Sequence, residues 1–205
     1  MTEGRIIEPQ DDVAEGAAWL ARQDPALARA LIVAGPLPLR RRPDGFAALF
    51  NAIIGQQVST ASANAIWARL EQAGLTAPEP ILAAGDEGLR AAGLSRQKIA
   101  YALALAEAGI DYDALRVAPD ADVIATLTAV KGIGVWTAEI YAMFALGRAD
   151  VFAPGDLALQ EAAKLIFDLP ERPKEKALRD MALAWRPWRA VAARLFFTYY
   201  RVSKG

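Results

Sequence analysis

Apolar residues in this chain recur at helical spacing, and no run sustains the apolar–polar alternation of a half-buried strand. Phe46, Leu49, Phe50, Ile53 and Ile54 fall at i, i+3, i+4, i+7 and i+8. They draw one stripe along a helix that follows Pro43, takes Asp44 as its cap and stops near Gly55. Ser59 opens a second helix running to Gly74, with Ala63, Ile66, Trp67 and Leu70 inside. Residues 78–84 and 86–92 read as short helices, and Ser95 caps another whose stripe is Ile99, Tyr101, Leu103 and Leu105. Residues 120–130, 135–146, 156–168, 173–185 and 187–202 complete the set. The expected fold class is all-α.

At 205 residues the chain suits one compact domain or two small lobes sharing a core, and 54% apolar residues supply that core. No window approaches a membrane span, and the start is acidic, with Glu3, Glu8, Asp11 and Asp12 against Arg5. Neither signal peptide nor membrane anchor is expected, which places the chain in the cytoplasm. The excess of arginine over lysine and the abundant alanine associate with a GC-rich bacterial genome. There is no cysteine and no histidine. Disulfides, iron–sulfur clusters, thiolate or imidazole zinc sites and every Ser-His or Cys-His nucleophile are thereby excluded. Chemistry falls to carboxylates, lysine, tyrosine, hydroxyls or the backbone.

The net charge of −1 conceals an asymmetry: residues 172–205 carry nine Lys/Arg against two acids, a balance of +7, and the rest of the chain carries −8. An acidic body presenting a basic face to a polyanion accounts for this, as does an ordinary solvated helix rich in arginine.

Between the helices at 120–130 and 135–146 lies Lys131-Gly132-Ile133-Gly134. Glycine permits positive φ and lets a partner approach the main chain, while the first amides of the following helix lack intrahelical acceptors. With the positive end of the helix dipole, this turn is suited to phosphate. A bare chain reversal is the plainer reading of an isolated Gly-x-Gly.

The wider string, Leu127-x-x-Val130-Lys131-Gly132-Ile133-Gly134-x-x-Thr137-Ala138, resembles the helix-hairpin-helix motif, which holds a DNA backbone without reading bases. Val151-Phe152-Ala153-Pro154-Gly155-Asp156 resembles the loop and aspartate of the helix-hairpin-helix DNA glycosylase superfamily. Ile53-Ile54-Gly55-Gln56-Gln57-Val58-Ser59 and Trp185-Arg186-Pro187-Trp188-Arg189 are similar to segments of its 3-methyladenine DNA glycosylase II branch. The four segments appear in the family's order across most of the chain. The resemblance implies a two-lobed helical bundle with the active site in a cleft between lobes, in the compact form without an N-terminal α/β domain. One lobe would span about 1–45 plus 156–205, and the other about 46–155, with the hairpin at 121–147. It also implies a monomer acting on double-stranded DNA with alkylated bases, near the nucleoid and without a membrane or cofactor.

A glycosylase takes its target nucleotide out of the stack. The resemblance implies that Lys131, Gly132, Ile133, Gly134, Val135 and Thr137 grip the phosphates, and that a monovalent cation sits on the carbonyls of Thr128, Val130 and Ile133. Gln56 and Gln57 lie in the DNA-facing loop, Gln57 at the position of the wedge that enters the vacated gap. The same glutamines would otherwise simply bridge that loop. Asp156 is the catalytic candidate, stabilising an oxocarbenium-like sugar and orienting water. A helix N-cap is its structural alternative, and Asp150 and Glu139 are nearby rivals. Trp136, Ile140 and Phe197 match pocket positions, where aromatic faces attract a cationic methylated purine. Some relatives have tyrosine at Ile140 and tryptophan at Phe197, so this pocket is less electron-rich. Trp67, Trp185, Trp188, Phe196 and Tyr199 are expected in the core. Bifunctional relatives carry a nucleophilic lysine where Trp136 stands, so base release without strand cleavage is implied. A non-catalytic DNA clamp, a glycosylase for another lesion such as uracil, and a helical interaction protein are the alternatives.

Overall fold

A computed structural model describes residues 4–204. Among them are α1 (Gln10–Gln23), α2 (Pro25–Ala34), α3 (Phe46–Gly55), α4 (Thr60–Gln72), α5 (Pro78–Ala91) and α6 (Arg96–Glu107). There follow α7 (Tyr112–Val117), α8 (Asp120–Thr128), α9 (Val135–Phe144), α10 (Leu157–Ile166), α11 (Glu175–Met181), a 3₁₀ turn at Ala182–Trp185, and α12 (Arg189–Lys204). The described residues form no strand, only an isolated antiparallel bridge between Ile6 and Arg148. The protein is all-α.

The chain divides into two compact units: residues up to Arg41 together with those from Ala142 onward, and the continuous stretch Arg42–Tyr141. The chain passes between them within α9. Residues 147–149 belong with the chain ends because the Ile7 amide donates to Gly147, the Ala149 amide to Arg5 and the Ala190 amide to Ala149.

In the central unit α3 packs on α4 and α6, and α5 packs on α6. The predicted stripe is the core of that packing, since Leu49, Phe50, Ile53 and Ile54 are wholly buried. Its cap differs from expectation. Gly45 holds the N-cap position, and the Asp44 carboxylate instead pairs with the Arg116 guanidinium at 2.6 Å. The two short helices read from 78–92 run together as α5, kinked where Gly85 leaves helical geometry with φ 58°. On α6 the buried residues are Lys98, Ile99, Ala102, Leu105 and Ala106, a helical face that leaves Tyr101 and Leu103 of the expected stripe half-buried.

In the terminal unit α12 packs on α1, α2, α10 and the 3₁₀ turn. Asp24 caps α2, accepting the Ala26 amide at 2.7 Å with Pro25 opening the helix. The centre is aromatic: Trp185 lies 4.9 Å from Phe196 and stacks on Phe167 at 6.0 Å. Trp185, Trp188 and Phe196 are buried as expected, whereas Trp67 and Tyr199 are half-buried. Trp67 in the central unit is drawn to the surface because its indole donates to Glu71 at 2.7 Å.

Candidate functional site

The turn at 129–134 joins α8 to the start of α9 within the central unit. Leu127, Val130 and Ile133 are buried and anchor the turn, and the Ile133 amide donates to the Val130 carbonyl at 3.1 Å. Lys131 and Gly134 are exposed. The two glycines do different work. Gly132 has φ +101°, and a Cβ built on it would lie 2.3 Å from Cγ of Tyr101, so both conformation and packing demand glycine. A Cβ on Gly134 would meet nothing within 4 Å. That open space leads onto the first turn of α9, where helix amides lack intrahelical acceptors and the dipole is positive. Val135 and Trp136 stand there 46% exposed, while Thr137 and Glu139 are buried and Ile140 is half-buried.

The loop between α3 and α4 separates the two adjacent glutamines. Gln56 turns to the hairpin and donates Nε2–H to the Gly132 carbonyl at 3.1 Å. Gln57 is exposed and left-handed, with φ 58°. Ser59 then caps α4 by accepting the Ser62 amide at 3.2 Å.

Asp156 belongs to the terminal unit and is half-buried at the start of α10. Its Oδ1 accepts the Ala158 amide at 2.8 Å and the Leu159 amide at 3.2 Å, so the capping role is present and fixes the carboxylate's orientation. The loop before it is braced by Gln160, whose Nε2 donates to the Pro154 carbonyl at 2.8 Å, and by the Asp156 amide donating to Ala153. Asp150, a rival for catalysis, is 5% exposed and accepts from Arg186 Nε at 2.8 Å and Arg189 Nε at 2.7 Å. Those ion pairs give it a structural role.

Two arginines of the basic C-terminal segment turn inward, Arg189 through its pair with Asp150 and Arg194, while Arg172, Lys174, Lys176, Arg179, Arg186, Arg201 and Lys204 stay exposed. Arg194 is wholly buried, donating to the Leu39 carbonyl at 2.9 Å and the Ala190 carbonyl at 2.8 Å. Burial, with Arg40 and Arg41 beside it, pulls its pKa down to about 10. Phe197 is half-buried on α12, with its ring centroid 6.2 Å from that of Phe144 and the Arg40 guanidinium 5.3 Å above its face.

No group of His, Cys, Asp and Glu among the described residues suits a metal ion. The main chain at the hairpin is a different donor set: Thr128 ends α8, where carbonyls lack intrahelical donors. The Val130 carbonyl retains a second lone pair after accepting Ile133. Hard carbonyl oxygens of this kind fit a monovalent cation.

The central unit thus presents a glycine hairpin open at Gly134 and a left-handed glutamine in the loop tied to it, and the terminal unit an aspartate oriented by two amides at the start of α10. The chain belongs to the HhH-GPD superfamily of base excision DNA repair proteins, which it matches over residues 50–188. It is 32% identical over 155 residues to DNA-3-methyladenine glycosylase 1 of Schizosaccharomyces pombe, covering 71% of this chain and 68% of that protein. Its fold resembles the crystal structure of a DNA-3-methyladenine glycosidase from Bacillus halodurans, with TM-score 0.82 and 36% identity over 94% of this chain and 89% of that one. It also resembles a Schizosaccharomyces pombe 3-methyladenine DNA glycosylase in complex with abasic DNA, with TM-score 0.74 and 27% identity over 89% and 95% of the two chains. No helix of the described residues is long and apolar enough to cross a membrane.

Proposed function

We propose that this chain is a monofunctional DNA glycosylase that excises alkylated purines of the 3-methyladenine and 7-methylguanine type from duplex DNA. The observation that carries the reading is Asp156, a half-buried carboxylate held in one orientation by two backbone amides in a chain whose relatives are named for 3-methyladenine. Main-chain amides around Gly134 and Val135, with Lys131, grip phosphates, and Gln57 enters the gap left by the flipped nucleotide. A cation on the Thr128, Val130 and Ile133 carbonyls would add positive charge to that grip. Trp136, Ile140 and Phe197 receive the base, and Asp156 stabilises the positive charge that develops on the sugar and orients the attacking water. The protein acts as a monomer on double-stranded DNA in the cytoplasm.

The test is release of free base from a methylated duplex, with the purines separated by chromatography. Methylated adenine is the expected product, and no release by folded, DNA-binding protein moves the reading to a clamp. Because Trp136 stands where bifunctional relatives carry lysine, borohydride is expected to trap no covalent protein–DNA adduct. A stable adduct on a denaturing gel contradicts this. One observation favours a second reading: Arg40 already places a cation over Phe197, which opposes a positively charged base on that face. A uracil-containing duplex in the same assay decides it, since uracil release in place of methylated adenine selects the neutral lesion.

A further inference from the structure

Gln57 carries the left-handed backbone of the loop, a conformation that costs a non-glycine residue about 1–2 kcal/mol and persists where the surroundings over-determine it. Those surroundings converge on α6. Lys98, 9% exposed, donates from Nζ to the carbonyl of Ile54 near the C-terminal end of α3 and three residues before Gln57. Three residues further along α6, the Tyr101 ring occupies the space against Gly132 that a Cβ would need, and Gln97 donates to its hydroxyl at 2.7 Å. Gln56 closes the figure by donating to the Gly132 carbonyl. One helix thus touches both the hairpin and the root of the Gln57 loop, and the loop is tied to the hairpin directly.

An aliphatic residue would fill the place of Lys98 without burying an ammonium. Burial pushes the Lys98 pKa below the usual lysine range, a cost of placing an amine here that the hydrogen bond to the Ile54 carbonyl offsets. What the charge supplies is a strong donor at the negative end of α3. We infer that Lys98 is a positioning residue for base excision: through the Ile54 carbonyl it fixes the end of α3, and so sets Gln57 against the hairpin for insertion into the duplex. This rests on the glycosylase reading above.

The experiment compares the intact protein with Lys98→Met and Lys98→Arg. Each is measured for melting temperature, affinity for undamaged duplex, single-turnover base release from methylated duplex, and fluorescence of a 2-aminopurine beside the lesion, which brightens on unstacking. Lys98→Met is expected to bind undamaged duplex within about twofold of the parent, because the hairpin grip is intact. Its release is expected to slow about tenfold with a smaller fluorescence rise, and Lys98→Arg, which keeps the charge, recovers most of both. Release and fluorescence equal to the parent in Lys98→Met overturn the inference, as does a loss that only tracks the unfolded fraction. Should Lys98→Met fail to fold, Gln56→Ala severs the tie between loop and hairpin from the solvent side. The same slowing is expected there, and unchanged release overturns the inference. No base release by the parent protein overturns the glycosylase reading itself, whereas parental release with an unaffected variant overturns only the role of Lys98.

Discussion

Asp156→Asn is expected to lower single-turnover base release by about 10²–10³-fold, the usual effect of removing one preorganised electrostatic group from a reaction centre. Asparagine caps helices about as well as aspartate, and its amide oxygen can take the Ala158 and Leu159 amides that Oδ1 accepts now. Stability should therefore move by less than about 0.5 kcal/mol. The substitution isolates charge from geometry, which alanine would not do. Parallel measurements of melting temperature, duplex affinity and release decide the matter. A variant that melts and binds like the parent yet releases no base assigns the carboxylate to chemistry. Equal rates reduce Asp156 to its cap and direct attention to Glu139, the other rival, buried on α9.

The hairpin glycines offer the second large effect, through their contrast. Gly132→Ala combines a positive-φ penalty of about 1–2 kcal/mol with overpacking of about 1–3 kcal/mol against Tyr101. A loss of about 3 kcal/mol lowers the melting temperature of a chain this size by about 6–12 °C. Gly134→Ala should leave the melting temperature unchanged, because its new methyl enters open space. That space is where a phosphate would meet the main chain, so affinity for duplex should fall about tenfold, the equivalent of one charged hydrogen bond. Thermal melting and fluorescence anisotropy of a labelled duplex measure both variants. Full duplex affinity in a stable Gly134→Ala protein would place the DNA contact elsewhere.

Local signals carried far in this chain, and their failures share a cause. The α3 stripe, the Ser59 and Ser95 caps and the glycine hairpin are all written within a turn or two of sequence, and each forms as expected. The signals for α1 and α2 are equally local, Val13, Gly16 and Leu20 at helical spacing and Asp24-Pro25 as a start, although no individual helix was expected before residue 46. Helix α7 is six residues long, too short for periodicity to register. What required the folded chain was partnership. Asp44 looks like a cap until Arg116, seventy-two residues away, takes its carboxylate. Gln56 and Gln57 are equivalent as text, and only the Gly132 carbonyl tells them apart. Lys98 attracts no notice because lysine is ordinarily solvated, and Tyr101 reads as core because nothing local records the missing Cβ of Gly132. The +7 balance of residues 172–205 is mostly exposed, but Asp150 and two main-chain carbonyls draw Arg189 and Arg194 inward, which the charge count does not reveal.

The terminal unit is assembled from both ends of the chain, whereas Arg42–Tyr141 is continuous. On the ribosome the two therefore have different histories. The central stretch, with its hairpin and the Gln57 loop, can begin to collapse on its own internal contacts as soon as it emerges. Helices α1 and α2 must wait for α12 to pack against them, and closing that gap carries the entropy of a loop well over a hundred residues long. A nascent or prematurely terminated chain would thus own the hairpin before it owned a settled Asp156. Under the proposed roles of the two, such a chain would hold its polymer without cutting a bond in it.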